Sequence, residues 1–114
     1  MTDIVSVYAV FADDEEARRI AGIVVEERLA ACANILGSCH SIYRWQGKVE
    51  EASEVPAIFK TSADAAPKLV ERMAALHSYD VPAIVVWPIA DTLRLYGEWV
   101  EASVAERAGR GTRA

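Results

Sequence analysis

The chain has 114 residues and carries 12 Lys+Arg against 17 Asp+Glu, giving a formal charge of −5 and a pI near 5.0. That length supports one domain, no stretch approaches the ~20 uninterrupted apolar residues of a membrane span, and an acidic chain is a poor general ligand for nucleic acid, whose phosphates need concentrated Lys and Arg. Hydrophobic residues still make up 53% of the chain, more than a small domain with a high surface-to-volume ratio readily hides, so an oligomer is expected.

The opening Met1-Thr2-Asp3-Ile4 lacks the basic and apolar regions of a signal peptide, and the expected location is the cytoplasm. Ile4 to Phe11 is rich in β-branched and aromatic residues and reads as a buried strand. Asp13 and Asp14, then Glu15 and Glu16, form an acidic helix start that caps free N–H groups and suits the helix dipole. Ala17, Ile20, Ala21, Val24, Val25 and Leu29 follow at helical spacing, with Arg18, Arg19, Glu26 and Glu27 on the solvated side.

Residues from Cys32 to Trp45 read as one strand, bent near Gly37, and Val49 to Thr61 as its partner. Gln46-Gly47 between them is a short turn in which Gly accepts positive φ. Ser41, Tyr43 and Trp45 share one face of the first arm, while Ile42 and Arg44 share the other. Pro56 cannot donate to a ladder and marks a strand edge or a bulge. At ~3.3 Å per residue the arm spans roughly 46 Å, whereas a domain of this size is only about 34 Å across. The hairpin is therefore expected to overhang its own subunit and to pack its Tyr43 and Trp45 on a neighbour. Cys32 and Cys39, on opposite faces and roughly 23 Å apart along an extended strand, are not expected to form a disulfide. They read as small buried hydrophobes.

Asp64 is expected to cap a second helix that tolerates Pro67 in its first turn and buries Ala66, Leu69, Val70, Met73 and Leu76. Ser78 to Pro82 reads as a loop, and Ala83 to Trp87, continuously apolar, as a central strand stopped at Pro88. Asp91 and Thr92 open a last helix whose Leu95, Tyr96, Trp99 and Val100 can cover a sheet face or a subunit joint. The order is β-α-β-β-α-β with a long β-hairpin and an extra C-terminal helix, an α+β, ferredoxin-like arrangement. Residues 1–106 form the single domain and 107–114, polar and Gly-rich, a flexible tail.

Glu27-Arg28-Leu29-Ala30-Ala31-Cys32-Ala33-Asn34-Ile35 resembles the ERLAACxNI segment of the CutA divalent-cation-tolerance proteins. Ser41 to Lys48 is similar to that family's SxYxWxGK hairpin, Glu54-Val55 with Lys60-Thr61 to its EVxxxxKT strand, and Leu76 to Pro82 to its LHPYxxP loop. The four motifs occur in order and cover nearly the whole chain. The resemblance implies a cytoplasmic, PII-like homotrimer with a ferredoxin-like fold, linked to tolerance of copper and other divalent cations. In the loop that usually reads LHPYExPEI this chain has Ser78, Asp80 and Ala83, and Val10 stands where some members carry cysteine. Of the side chains that the resemblance associates with copper, His77 remains.

Residue types narrow the chemistry further. There is no C-x-x-C or H-x-x-x-H, so the metal candidates are His77 and Asp80, an imidazole and an oxygen that would hold copper or another divalent cation weakly. No cofactor is required. Tyr43, Trp45, Lys60, His77 and Tyr79 are the candidates for a cleft between subunits taking a metal or a small anionic metabolite, aromatic walls with few polar groups. Tyr43, Trp45 and Trp99 are the candidates for the trimer interface. The alternative is a structural or signalling trimer that docks a partner protein without specific metal binding. No nucleophile elbow, phosphate-binding glycine loop or paired-carboxylate site occurs, so no enzyme is expected. A catalytic alternative would rest on Lys60, His77 and Tyr79 as donor, base and phenol.

Overall fold

The computed structural model describes residues 2–105, so the tail expected at 107–114 lies outside the described residues. The fold is α+β, with five strands and three helices in the order β1 (Ile4–Phe11), α1 (Asp14–Glu26), β2 (Cys32–Ile35), β3 (Cys39–Trp45), β4 (Lys48–Ser62), α2 (Ala66–Leu76), β5 (Ile84–Pro88) and α3 (Arg94–Ala105). The sheet is antiparallel in the order β2-β4-β1-β5, and β3 extends it by pairing with the far half of β4.

Alternation along the two middle strands decides where the core sits. Val5, Val7, Ala9 and Phe11 of β1 lie opposite Thr61, Phe59, Ala57 and Val55 of β4, and all eight are buried. Ala17, Ile20, Ala21 and Val24 of α1 and Ala66, Leu69 and Met73 of α2 pack on this face. The Phe11 and Phe59 rings meet edge-on at 6.3 Å. Buried Thr61 donates its hydroxyl to the Leu29 carbonyl at 2.7 Å, tying β4 to the chain just after α1. Asp13 caps α1 as expected, its carboxylate accepting from the Glu16 N–H at 2.9 Å.

The long hairpin turns where expected, at Gln46 (φ 51°) and Gly47 (φ 82°), two left-handed residues that match a type I′ turn. The expected single arm is instead two strands. Register passes from Cys39 opposite Glu54 to Ile35 opposite Ala57, so three residues on one side face two on the other, a bulge. Pro56 sits at that bulge, where its carbonyl accepts from Leu36 and its missing N–H leaves no ladder bond unmade. Beyond Val55 the hairpin has no β1 beside it. The molecule accordingly measures 51 × 27 × 23 Å with a radius of gyration of 15.0 Å, against about 13 Å for a compact chain of this length.

Three local expectations are corrected. Helix α2 is capped not by Asp64 but at Ala65, whose N–H donates to the Ser62 hydroxyl at 3.0 Å, the side chain of the preceding strand end lying closer. Among the described residues strand β5 is an edge strand that pairs with β1 alone, and its apolar run is half exposed rather than central. Helix α3 begins at Arg94, because Asp91 spends its carboxylate on the neighbouring Thr92 N–H. This helix lies on the sheet face opposite α1 and α2, where its Tyr96 reaches Cys32. Val100 is buried there, whereas Leu95 and Trp99 stay exposed. Both cysteines are free and half-buried, rather than fully buried.

Phe59 fills the middle of the single packed face, so Phe59→Ala should cost about 3–5 kcal/mol, read as a lower urea midpoint with an unchanged slope.

Candidate functional site

The hairpin base and the chain after α2 enclose a cavity of about 520 Å³. Ser41, Tyr43 and Trp45 line one side because period-two alternation on β3 puts them on one face. Glu54 of β4 lies at the bottom of this face, and Tyr79, Asp80 and Val81 form the opposite side. Val10 and Ala83 complete the lining.

The far side is positioned by a buried polar network. Helix α2 stops at Leu76, and His77 turns the chain into extended conformation. The His77 ring stacks on Phe11 with centroids 5.2 Å apart. Its Nε2 donates to the Val10 carbonyl at 2.8 Å, and its Nδ1 accepts from the Tyr79 N–H at 3.1 Å. Those two partners assign the neutral, Nε2-protonated tautomer. Glu16, buried at the first turn of α1, accepts from the Ala12 N–H at 2.9 Å with one oxygen and from the Ser78 N–H at 2.7 Å with the other. Burial opposes its ionisation, but the hydrogen bonds from Ala12 and Ser78 prevail and hold its pKa below the usual carboxylate value.

Tyr79 is the link between network and cavity. Its hydroxyl donates to Glu54 Oε2 at 2.6 Å, and its ring leans on His77 at 4.8 Å. Burial, then the hydrogen bond and charge of Glu54, push the Tyr79 phenol well above its ordinary pKa. Glu54 itself is only 9% exposed.

The structure therefore brings together Tyr43, Trp45, Tyr79 and Asp80, with His77 directly behind Tyr79. It does not bring Lys60, which lies opposite Ser6 and Cys32 on the α3 side of the sheet, outside the cavity. The proposed trio of Lys60, His77 and Tyr79 is thus not assembled. His77 is corrected as a metal ligand, since its side chain is 0% exposed and both ring nitrogens are engaged by backbone groups. Asp80 is exposed at the cavity margin, and among the described residues no three His, Cys, Asp or Glu side chains gather for a metal. Among the described residues no Lys or Arg lines the cavity, whereas Glu54 and Asp80 do. Trp99 stands apart on α3, stacked on Tyr96 at 5.8 Å. Burial and the Cys32 thiol, 3.4 Å from its hydroxyl, push Tyr96 up to about 12.

Two residues of the candidate site, Glu16 and Glu54, are not among those the sequence singles out. Glu16 reads as part of the helix start, although Asp13-x-x-Glu16 is the spacing by which a third-position Glu reaches back past its cap. Glu54 stands beside the apolar stretch Val55 to Phe59, and an acidic residue adjoining such a run is the available signal.

The lowered Glu16 pKa contributes stability that is present above its unfolded-state value and lost as pH falls through the folded one. Glu16→Gln should therefore be less stable than the parent at pH 7, with the gap closing below about pH 4, measured by urea unfolding at each pH.

Residues 5–103 match the family described as CutA1 divalent ion tolerance protein. The divalent-cation tolerance protein CutA of Thermus thermophilus is 54% identical over 87 residues, 76% of this chain and 84% of that protein. The Pyrococcus horikoshii protein of the same name is 42% identical over 97 residues, 85% of this chain and 94% of its own. The crystal structure of CutA from Xylella fastidiosa superposes with a TM-score of 0.88 at 32% identity, covering 90% of this chain and 99% of the other.

Proposed function

This chain belongs to the CutA1 divalent ion tolerance family, and on that premise we propose that it acts as a cytoplasmic homotrimer in tolerance of and response to divalent metal ions, copper among them. Its ligand site is the cavity beside the hairpin, at clefts between subunits. The family is named for tolerance of divalent cations rather than for a reaction, and no catalytic role is assigned to any residue.

The observation that carries the site is Glu54, a nearly buried carboxyl group in a cavity also lined by Tyr43, Trp45 and Tyr79. Such a cavity, a few polar groups in an apolar and aromatic lining, is the usual form of a small-ligand site. Among the described residues no three His, Cys, Asp or Glu side chains gather, which supports a weakly held metal ion. The two free cysteines suit a reducing compartment.

Assembly is supported by apolar surface. Counting β2 and β3 as one bent strand, the sheet order is the ferredoxin-like one. The face opposite α1 and α2 shows Tyr8 stacked on Trp87 at 5.0 Å, with Val85 beside them, and Trp87 is 45% exposed. With Trp45 on the overhanging hairpin at 44%, these surfaces suit burial against other copies better than water. A second reading, a PII-like trimer that docks a partner protein without specific metal binding, draws on Ile42 and Val49, which leave an exposed apolar patch on the hairpin's other face.

Light scattering should give the mass of three chains at micromolar concentration, and the double variant Trp45→Ala, Trp87→Ala a smaller mass. Cells lacking the gene should regain growth in copper with the parent protein and not with Glu54→Gln. A single-chain mass for the parent contradicts the trimer. Full rescue by Glu54→Gln together with loss in Ile42→Asp favours the docking reading.

A further inference from the structure

Glu54 is a nearly buried carboxyl group of the cavity that nothing within the described residues completes. Its Oε2 accepts from Tyr79, while Oε1 has no hydrogen-bond partner, and no cation pairs with the group. A carboxyl group with 9% exposure and one hydrogen-bond partner has little room for water, and such a group favours a donor or counter-charge at its open oxygen. Water can satisfy the open oxygen but leaves the charge uncompensated.

The surroundings decide what kind of cation fits. A hard divalent ion requires roughly six or more oxygen ligands, whereas here one Glu54 oxygen is open, the Tyr79 hydroxyl is already donating, and Asp80 lies at the exposed margin. Tyr43 and Trp45 line the cavity instead, and aromatic rings attract an ammonium group and also take apolar carbon. The volume, about 520 Å³, is that of a small-molecule site and well beyond a bare ion.

We propose that this cavity binds a small organic ammonium with an apolar body, its N–H groups donating to Glu54 Oε1 and its carbon skeleton lying against Tyr43 and Trp45. The proposal rests on the reading of the cavity as the ligand site and names the ligand class. Tyr79 acts as a positioning residue: its hydroxyl holds Glu54, while the Glu16 and His77 network holds its backbone.

The test is calorimetric titration of the intact protein with 2-phenylethylammonium at pH 7, beside neutral 2-phenylethanol and anionic 3-phenylpropionate. The ammonium should bind at least tenfold more tightly than either control. Glu54→Gln should lose at least tenfold of that affinity, and Tyr43→Leu, which keeps apolar volume but removes a ring face, should weaken the ammonium more than the alcohol. Arg18→Ala, on the exposed side of α1, should bind as the parent does. Absence of ammonium binding, equal binding of the alcohol, or an unchanged affinity in Glu54→Gln of native mass overturns the proposal. Mass and copper tolerance are measured without the amine, so that reading and this one can fail independently.

Discussion

The cavity's far side depends on a short chain of partly buried hydrogen bonds that joins the first turn of α1 to the hairpin. Glu16 accepts from Ser78, His77 bridges Val10 and Tyr79, and Tyr79 reaches Glu54. Each link closes a polar group that would otherwise be orphaned in a poorly hydrated place, and partly satisfied networks of this kind are costly. The loop after α2 has no regular structure of its own between Leu76 and Ile84. Its position is therefore set by this network rather than by a ladder or a helix.

The sheet supplies the other half of the geometry. One face of β1 and β4 is closed by α1 and α2, which leaves the opposite face and the projecting hairpin to be covered by something else. Helix α3 covers part of that face through Tyr96 and Val100 and stops short of Trp87. The bulge opposite Val55 and Pro56 separates the two regimes: on one side β4 is buried between β1 and β2, on the other it runs out with β3 alone. Extra twist at a bulge re-aims the strand it interrupts, and Glu54, the last residue before the change, sits in the cavity at that point.

The residues expected to make chemistry changed roles for definite reasons. His77, an apparent metal ligand, spends both ring nitrogens on backbone groups, so the residue that best matched metal chemistry is structural. Lys60, an apparent donor, is carried by strand alternation to the other face of the sheet from Phe59 and Thr61. With Lys60 on the other face, the charged groups lining the cavity among the described residues are the acidic Glu54 and Asp80. One residue of strand register decides that sign.

Taken alone, the amino-acid sequence determined whatever depends on neighbours along the chain: the Asp13 cap, the Gln46-Gly47 turn, the shared face of Ser41, Tyr43 and Trp45, the disruption at Pro56, and a hairpin too long for its own domain. Periodicity and turn chemistry are local, and they are readable without coordinates. Its four family motifs likewise identified the family that residues 5–103 match. Only the tertiary structure decided that β5 lies at an edge, that Glu16 meets Ser78 across 62 positions, and that Tyr79 meets Glu54 across 25. Those pairings depend on strand order and packing between distant segments, where a carboxylate's meaning comes from which donors reach it and how much water remains.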